Sequence, residues 1–108
     1  MMINDKYTIL VVDDAPEIAE ILSVILSQDY HVKVASSGKL ALELASDVYP
    51  PDIILLDVMM PEIDGFETCR RLKENPATQD IPVIFLTALN DANDEEKGLG
   101  LGAVDYIN

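Results

Sequence analysis

The sequence predicts a single α/β domain, a doubly wound five-stranded parallel sheet with helices on both faces. Three observations carry this expectation. Short apolar runs of strand length alternate with longer segments of helical period along the whole chain. Some strand runs are continuously apolar, as strands covered on both faces must be, whereas others alternate. The length of 108 residues fits one compact core and leaves no room for a second domain.

The first strand is Thr8 to Val12, followed by a helix from Ala15 to Gln28. On that helix Ile18, Ile21, Leu22, Ile25 and Leu26 recur at the spacing of one buried face. Asp14 stands where it would cap the helix, in a D-x-x-E pattern completed by Glu17 with Pro16 in the first turn. A second strand, His31 to Ala35, leads to a helix from Ser37 to Val48 whose buried face is Leu40, Leu44 and Val48. The third strand is Asp52 to Leu56, and Gly65 to Asn75 follows as a helix capped by Asp64. Pro82 to Leu86, Asp91 to Gly102 and Ala103 to Ile107 complete the pattern as strand, helix and strand.

Composition then orders the strands. Ile9 to Val12, Ile53 to Leu56 and Val83 to Leu86 are continuously apolar, so they belong in the interior; His31 to Val34 alternates and Asp105 charges the last strand, so those two are edges. With right-handed crossovers this gives the order 2-1-3-4-5 of a flavodoxin-like doubly wound sheet. Ligands of such sheets bind beyond the carboxyl ends of the strands where the winding reverses, here between strands one and three.

Charge excludes several function classes. Seven basic against 20 acidic residues give a net of -13, which repels nucleic acid phosphates and anionic lipid surfaces. No direct nucleic acid binding and no membrane contact are expected. A lone Cys69 with no secretory leader implies a cytoplasmic location, and its spacing from Phe66 and Leu72 turns it inward.

The chemistry is placed by acids at strand ends. Asp13 and Asp14 follow the first strand and Asp57 the third, and neighbouring strands about 4.8 Å apart bring these carboxylates together. Such a group repels itself unless a hard cation neutralises it, and few protein ligands plus waters favour Mg2+ over Ca2+. Asp57 is then the natural nucleophile for an incoming phosphoryl group. Thr87, followed by the small Ala88, puts a hydroxyl at the same rim. Between them Met59, Met60, Pro61, Glu62, Ile63, Asp64 and Gly65 form a tight loop into the next helix.

Asp13 and Asp14, Asp57 with Met59, Met60, Pro61, Asp64 and Gly65, Thr87 and Ala88, then Gly102, Ala103, Asp105 and Tyr106 together resemble the receiver domain of bacterial two-component response regulators (CheY-like) over nearly the whole chain. The resemblance implies that Asp57 is the phosphoacceptor of a sensor histidine kinase, with Mg2+ bound by Asp14 directly, by Asp13 largely through water, by Asp57 and by the main-chain carbonyl of Met59. It implies that Thr87 bonds the phosphoryl group and that Tyr106 turns inward behind it. The surface of the fourth helix and fifth strand would thereby change for an output domain, a downstream protein or a dimer partner. A receiver assists its own phosphorylation and dephosphorylation without being an enzyme. Receivers also carry a lysine soon after the aromatic switch residue and a fifth helix; the sequence stops at Asn108 before either. Residues 1–108 are therefore expected to be one receiver domain, incomplete at its C-terminal end, with the last helix missing.

Two other functions compete. A pseudo-receiver, a protein-binding module that ignores phosphate, usually lacks one of the acids, and none is lacking here. A phosphatase of the haloacid dehalogenase type needs a second acid two residues after its nucleophile, where Met59 stands.

Overall fold

The structure, a computed structural model, describes residues 6–86 and 105–107. Strands β1 (Thr8–Val12), β2 (His31–Ala35), β3 (Ile53–Asp57), β4 (Val83–Leu86) and β5 (Asp105–Ile107) alternate with helices α1 (Pro16–Leu26), α2 (Gly38–Ala45) and α3 (Gly65–Glu74) over most of the chain. The sheet order is β2-β1-β3-β4-β5, and every pair is parallel. The expected doubly wound order and its two edges are therefore present. The predicted helix over residues 91–102, and with it the fourth-helix side of the switch surface, lies outside the described residues. No helix among the described residues is long and apolar enough to cross a membrane.

The two faces of the sheet are covered unequally. On the side of α2 and α3, Leu10, Val12, Ile54, Leu56, Val83 and Phe85 are fully buried, together with Ala41, Ala45, Cys69 and Leu72 from the helices. Phe85 meets Phe66 edge to face, with ring centroids 5.2 Å apart, a favoured aromatic geometry. Burial among these residues pushes the Cys69 thiol up, away from the reactive thiolate.

On the α1 side Ile53, Leu55, Ile84 and Leu86 of β3 and β4 are half-buried. The predicted buried face of α1 is only partly covered. The small Ala19 lies against the sheet with Leu22 and Leu26 half-covered, while Ile18, Ile21 and Ile25 are exposed. The apolar arc of this helix is wider than one line of contact with a sheet covers. An apolar groove of about 490 Å³, lined by Tyr7, Ile9, Leu26, Tyr30, Ile53 and Leu55, runs beside it. Val48, expected on the buried face of α2, lies past the helix end and is exposed.

The N-terminal edge of the sheet is laced by polar contacts. Asp52 accepts from the Thr8 N–H through Oδ2 at 2.7 Å and returns its own N–H to the Thr8 carbonyl at 2.8 Å. Tyr7 and Tyr30 precede β1 and β2, and Tyr49, whose carbonyl accepts from Lys33 Nζ at 2.8 Å, precedes β3. All three tyrosines thus lie at the opposite end of the strands from the acidic residues.

Candidate functional site

Asp57 is the last residue of β3, paired with Leu86 of β4, and is half-buried. Asp13 directly follows β1 and is anchored twice. Its N–H donates to the Ala35 carbonyl at 3.1 Å, and its Oδ1 accepts from the Ala15 N–H at 2.9 Å, a turn closed by its own side chain. This corrects the capping expectation. The N-cap of α1 is Ala15, which makes no side-chain cap bond, and Pro16 opens the helix. Asp13, not Asp14, satisfies the backbone there, so Asp14 stays exposed and uncommitted to a cap.

One carboxylate oxygen from each of Asp13, Asp14 and Asp57 lies within 4.8 Å of the others. Burial is the main cause that pushes the Asp57 carboxyl up to about 6; the nearby Asp13 charge adds to it, and Asp14 adds less. The N–H groups of Met59 and Val58 donate to Asp57 and pull the other way. Asp13 is also raised, by burial first and by Asp14, against the stabilising Ala15 N–H. The carboxylates therefore occupy a place where extra positive charge is favourable, and three hard oxygen donors this close suit a small divalent cation.

The loop after β3 turns tightly beneath the end of the strand. Met60 is buried against the core, while the Met59 side chain projects into solvent. Asp64 caps α3, accepting from the Glu67 N–H at 2.8 Å. The Gly65 N–H donates to the Val58 carbonyl at 2.9 Å, and a Cβ at Gly65 would stand 2.1 Å from the Asp57 carbonyl oxygen. Only glycine allows α3 to begin this close to Asp57.

Glu62 adopts a left-handed conformation, φ 68°, which a glutamate side chain disfavours. Sequence reasoning missed this strain, although a residue following Pro61 in a tight loop is a usual place for positive φ. Asparagine tolerates that region without the unfolded-state entropy of glycine. Glu62→Asn is expected to stabilise the fold by about 0.5 kcal/mol, measured as a shift of the urea midpoint at unchanged slope.

A profile of the response regulator receiver domain matches residues 9–108. The chain belongs to this family. It is 50% identical over 100 residues to a probable cyclic di-GMP phosphodiesterase of Vibrio cholerae, covering 93% of this chain and 22% of that protein. It is 47% identical over 100 residues to the response regulator PleD of Caulobacter vibrioides, covering 92% of this chain and 22% of the relative. Among solved structures, the N-terminal domain of a response regulator receiver protein from Methanoculleus marisnigri JR1 superposes with a TM-score of 0.86 at 45% identity, covering 95% of this chain and 84% of that one. The receiver thus spans about a fifth of the length of these two curated relatives.

The structure of the receiver brings Asp13, Asp14 and Asp57 together and sets Met59 two residues on. Thr87 and Ala88 lie outside the described residues, as does the side chain of Tyr106. The backbone of Tyr106 is in β5, paired with Phe85 of β4.

Proposed function

We propose that this receiver is a phosphorylation-dependent switch, in which Asp57 accepts a phosphoryl group from the phosphohistidine of a sensor histidine kinase. The convergence of three carboxylates at the ends of β1 and β3 carries the reading. A carboxyl held near 6 is mostly ionised at neutral pH, so an Asp57 oxygen has a lone pair for in-line attack on phosphorus. The new P–O bond forms as the P–N bond to the histidine breaks, leaving an acyl phosphate on Asp57. Asp13, Asp14, Asp57 and the Met59 carbonyl would hold Mg2+, which when bound would neutralise charge on the transferring phosphoryl group. Thr87 and Ala88 would receive the phosphoryl oxygens, and Tyr106 would relay the change to the face of the fourth helix and β5. There an output domain, a downstream protein or a second receiver would read it. The lone buried thiol of Cys69 suits a cytoplasmic setting.

The test is incubation with acetyl phosphate, with and without Mg2+, followed by intact-protein mass spectrometry and peptide mapping. One added phosphoryl group on the Asp57 peptide, absent when EDTA is present, is the expected result. A well-folded protein that stays unlabelled under all conditions would establish the pseudo-receiver reading instead.

A further inference from the structure

The start of α2 is pressed against the loop that follows Asp57. A Cβ at Gly38, the first residue of α2, would stand 2.2 Å from Thr68 Oγ1 and 2.7 Å from Ile63 Cγ1. Thr68 is fully buried on α3, and Ile63 belongs to the loop between Met60 and Asp64. Two short links lead from there to the acceptor. Thr68 Oγ1 donates to the Asp64 carbonyl at 2.8 Å, and the adjoining Gly65 is hydrogen-bonded to Val58 and packed against the Asp57 carbonyl.

The same turn reaches the other acidic loop. Ala35, three residues before Gly38, accepts the Asp13 N–H at 3.1 Å, and Ser37 caps α2 by accepting from the Leu40 N–H at 3.1 Å. The turn over residues 35–38 therefore touches the supports of both Asp13 and Asp57 while carrying no acidic group itself. Anchoring of α2 does not need this contact, because Ala41 and Ala45 are already buried in the core. What Gly38 adds is a wall for the loop.

We propose that this turn is a positioning brace that sets the separation of the Asp13 and Asp57 carboxylates, with Gly38 as its point of contact with the acceptor loop. The inference rests on the phosphoacceptor reading. In-line transfer tolerates little displacement, so a carboxylate shifted by a fraction of an ångström slows the reaction without unfolding the domain. Methyl at position 38 pushes Ile63 and Thr68 away.

The experiment compares wild type, Gly38→Ala and Ile63→Ala in the intact protein. Labelling rates with acetyl phosphate, Mn2+ affinity by electron paramagnetic resonance and thermal melts are measured on each. Gly38→Ala is expected to label about tenfold more slowly or worse and to bind Mn2+ more weakly, at temperatures where its circular dichroism is native. Ile63→Ala, which slackens the brace without crowding it, should also label slowly, and it decides the matter if Gly38→Ala does not fold. Wild-type rates and Mn2+ affinity in a folded Gly38→Ala, or a wild-type rate in Ile63→Ala, would each overturn the brace. Failure of wild type itself to label would instead remove the phosphoacceptor reading.

Discussion

Replacing Asp57 by asparagine is expected to abolish phosphoryl uptake completely and, in the absence of divalent metal, to make the protein more stable at pH 7. The first effect follows because the amide has no anionic oxygen to attack phosphorus. The second follows from the raised carboxyl. Asp57 titrates at about 6 in the fold against 3.8 for the free side chain. A carboxyl raised on folding favours the folded state fully below the lower value, and that favour is lost as pH rises through the higher one. At pH 7 the ionised Asp57 therefore opposes folding. The gap between the folded and free values sets a ceiling of about 3 kcal/mol, and solvent at the open rim reduces this to about 1–2 kcal/mol. Urea titrations of the metal-free proteins from pH 4 to 7 should show wild type losing stability relative to Asp57→Asn, with the gap opening between pH 4 and 6. Adding Mg2+ should stabilise wild type more than the variant. Equal stabilities across this range would refute the electrostatic account while leaving the nucleophile assignment to the labelling experiment.

Gly65→Ala should be the most damaging small substitution among the described residues. Its methyl would fall 2.1 Å from the Asp57 carbonyl oxygen and 2.8 Å from the Val58 Cα. Both obstacles are backbone, so no side-chain rotation relieves the clash. Either α3 withdraws, breaking the Gly65 to Val58 hydrogen bond and opening the packing around Phe66, Cys69 and Leu72, or the end of β3 moves. A cost of about 3 kcal/mol is expected, lowering the melting temperature by roughly 10–20 °C. Phosphoryl labelling at temperatures where the variant is still folded should fall as well, because the displaced segment is the one that carries Asp57. A melting temperature within 2 °C of wild type, a margin about as small as an ordinary surface substitution gives, would show that the backbone yields more easily than packing suggests.

The strand order was legible because burial writes itself into composition. Ile9 to Val12 could not alternate and still lie between two neighbours, whereas His31 to Val34 could, and β1 and β2 stand accordingly in the interior and at the edge. The acids were legible because parallel strands of equal length deliver their C-terminal residues to one rim. What sequence could not separate were adjacent carboxylates with different duties. Asp13 and Asp14 are equally able to close a turn, and only the path of the chain after β1 assigns the Ala15 N–H to Asp13. The lie of α1 was likewise undetermined, since five large apolar residues span more of the helix than the sheet contacts, and the close approach is made by Ala19. The contact at Gly38 was hidden for a related reason. It depends on Ile63 and Thr68, which are distant in sequence and meet α2 only in the folded packing.

The placement of the tyrosines has a practical consequence for optical work. The chain has no tryptophan, and Tyr7, Tyr30 and Tyr49 of its four tyrosines sit at the N-terminal edge of the sheet, roughly 15 Å of strand away from Asp57. Their emission reports on the integrity of that edge and is nearly blind to events at the acidic rim. Under the proposed relay, an ultraviolet or fluorescence change that accompanies phosphoryl transfer is expected from Tyr106, and a Tyr106→Phe protein that keeps the change would count against that relay.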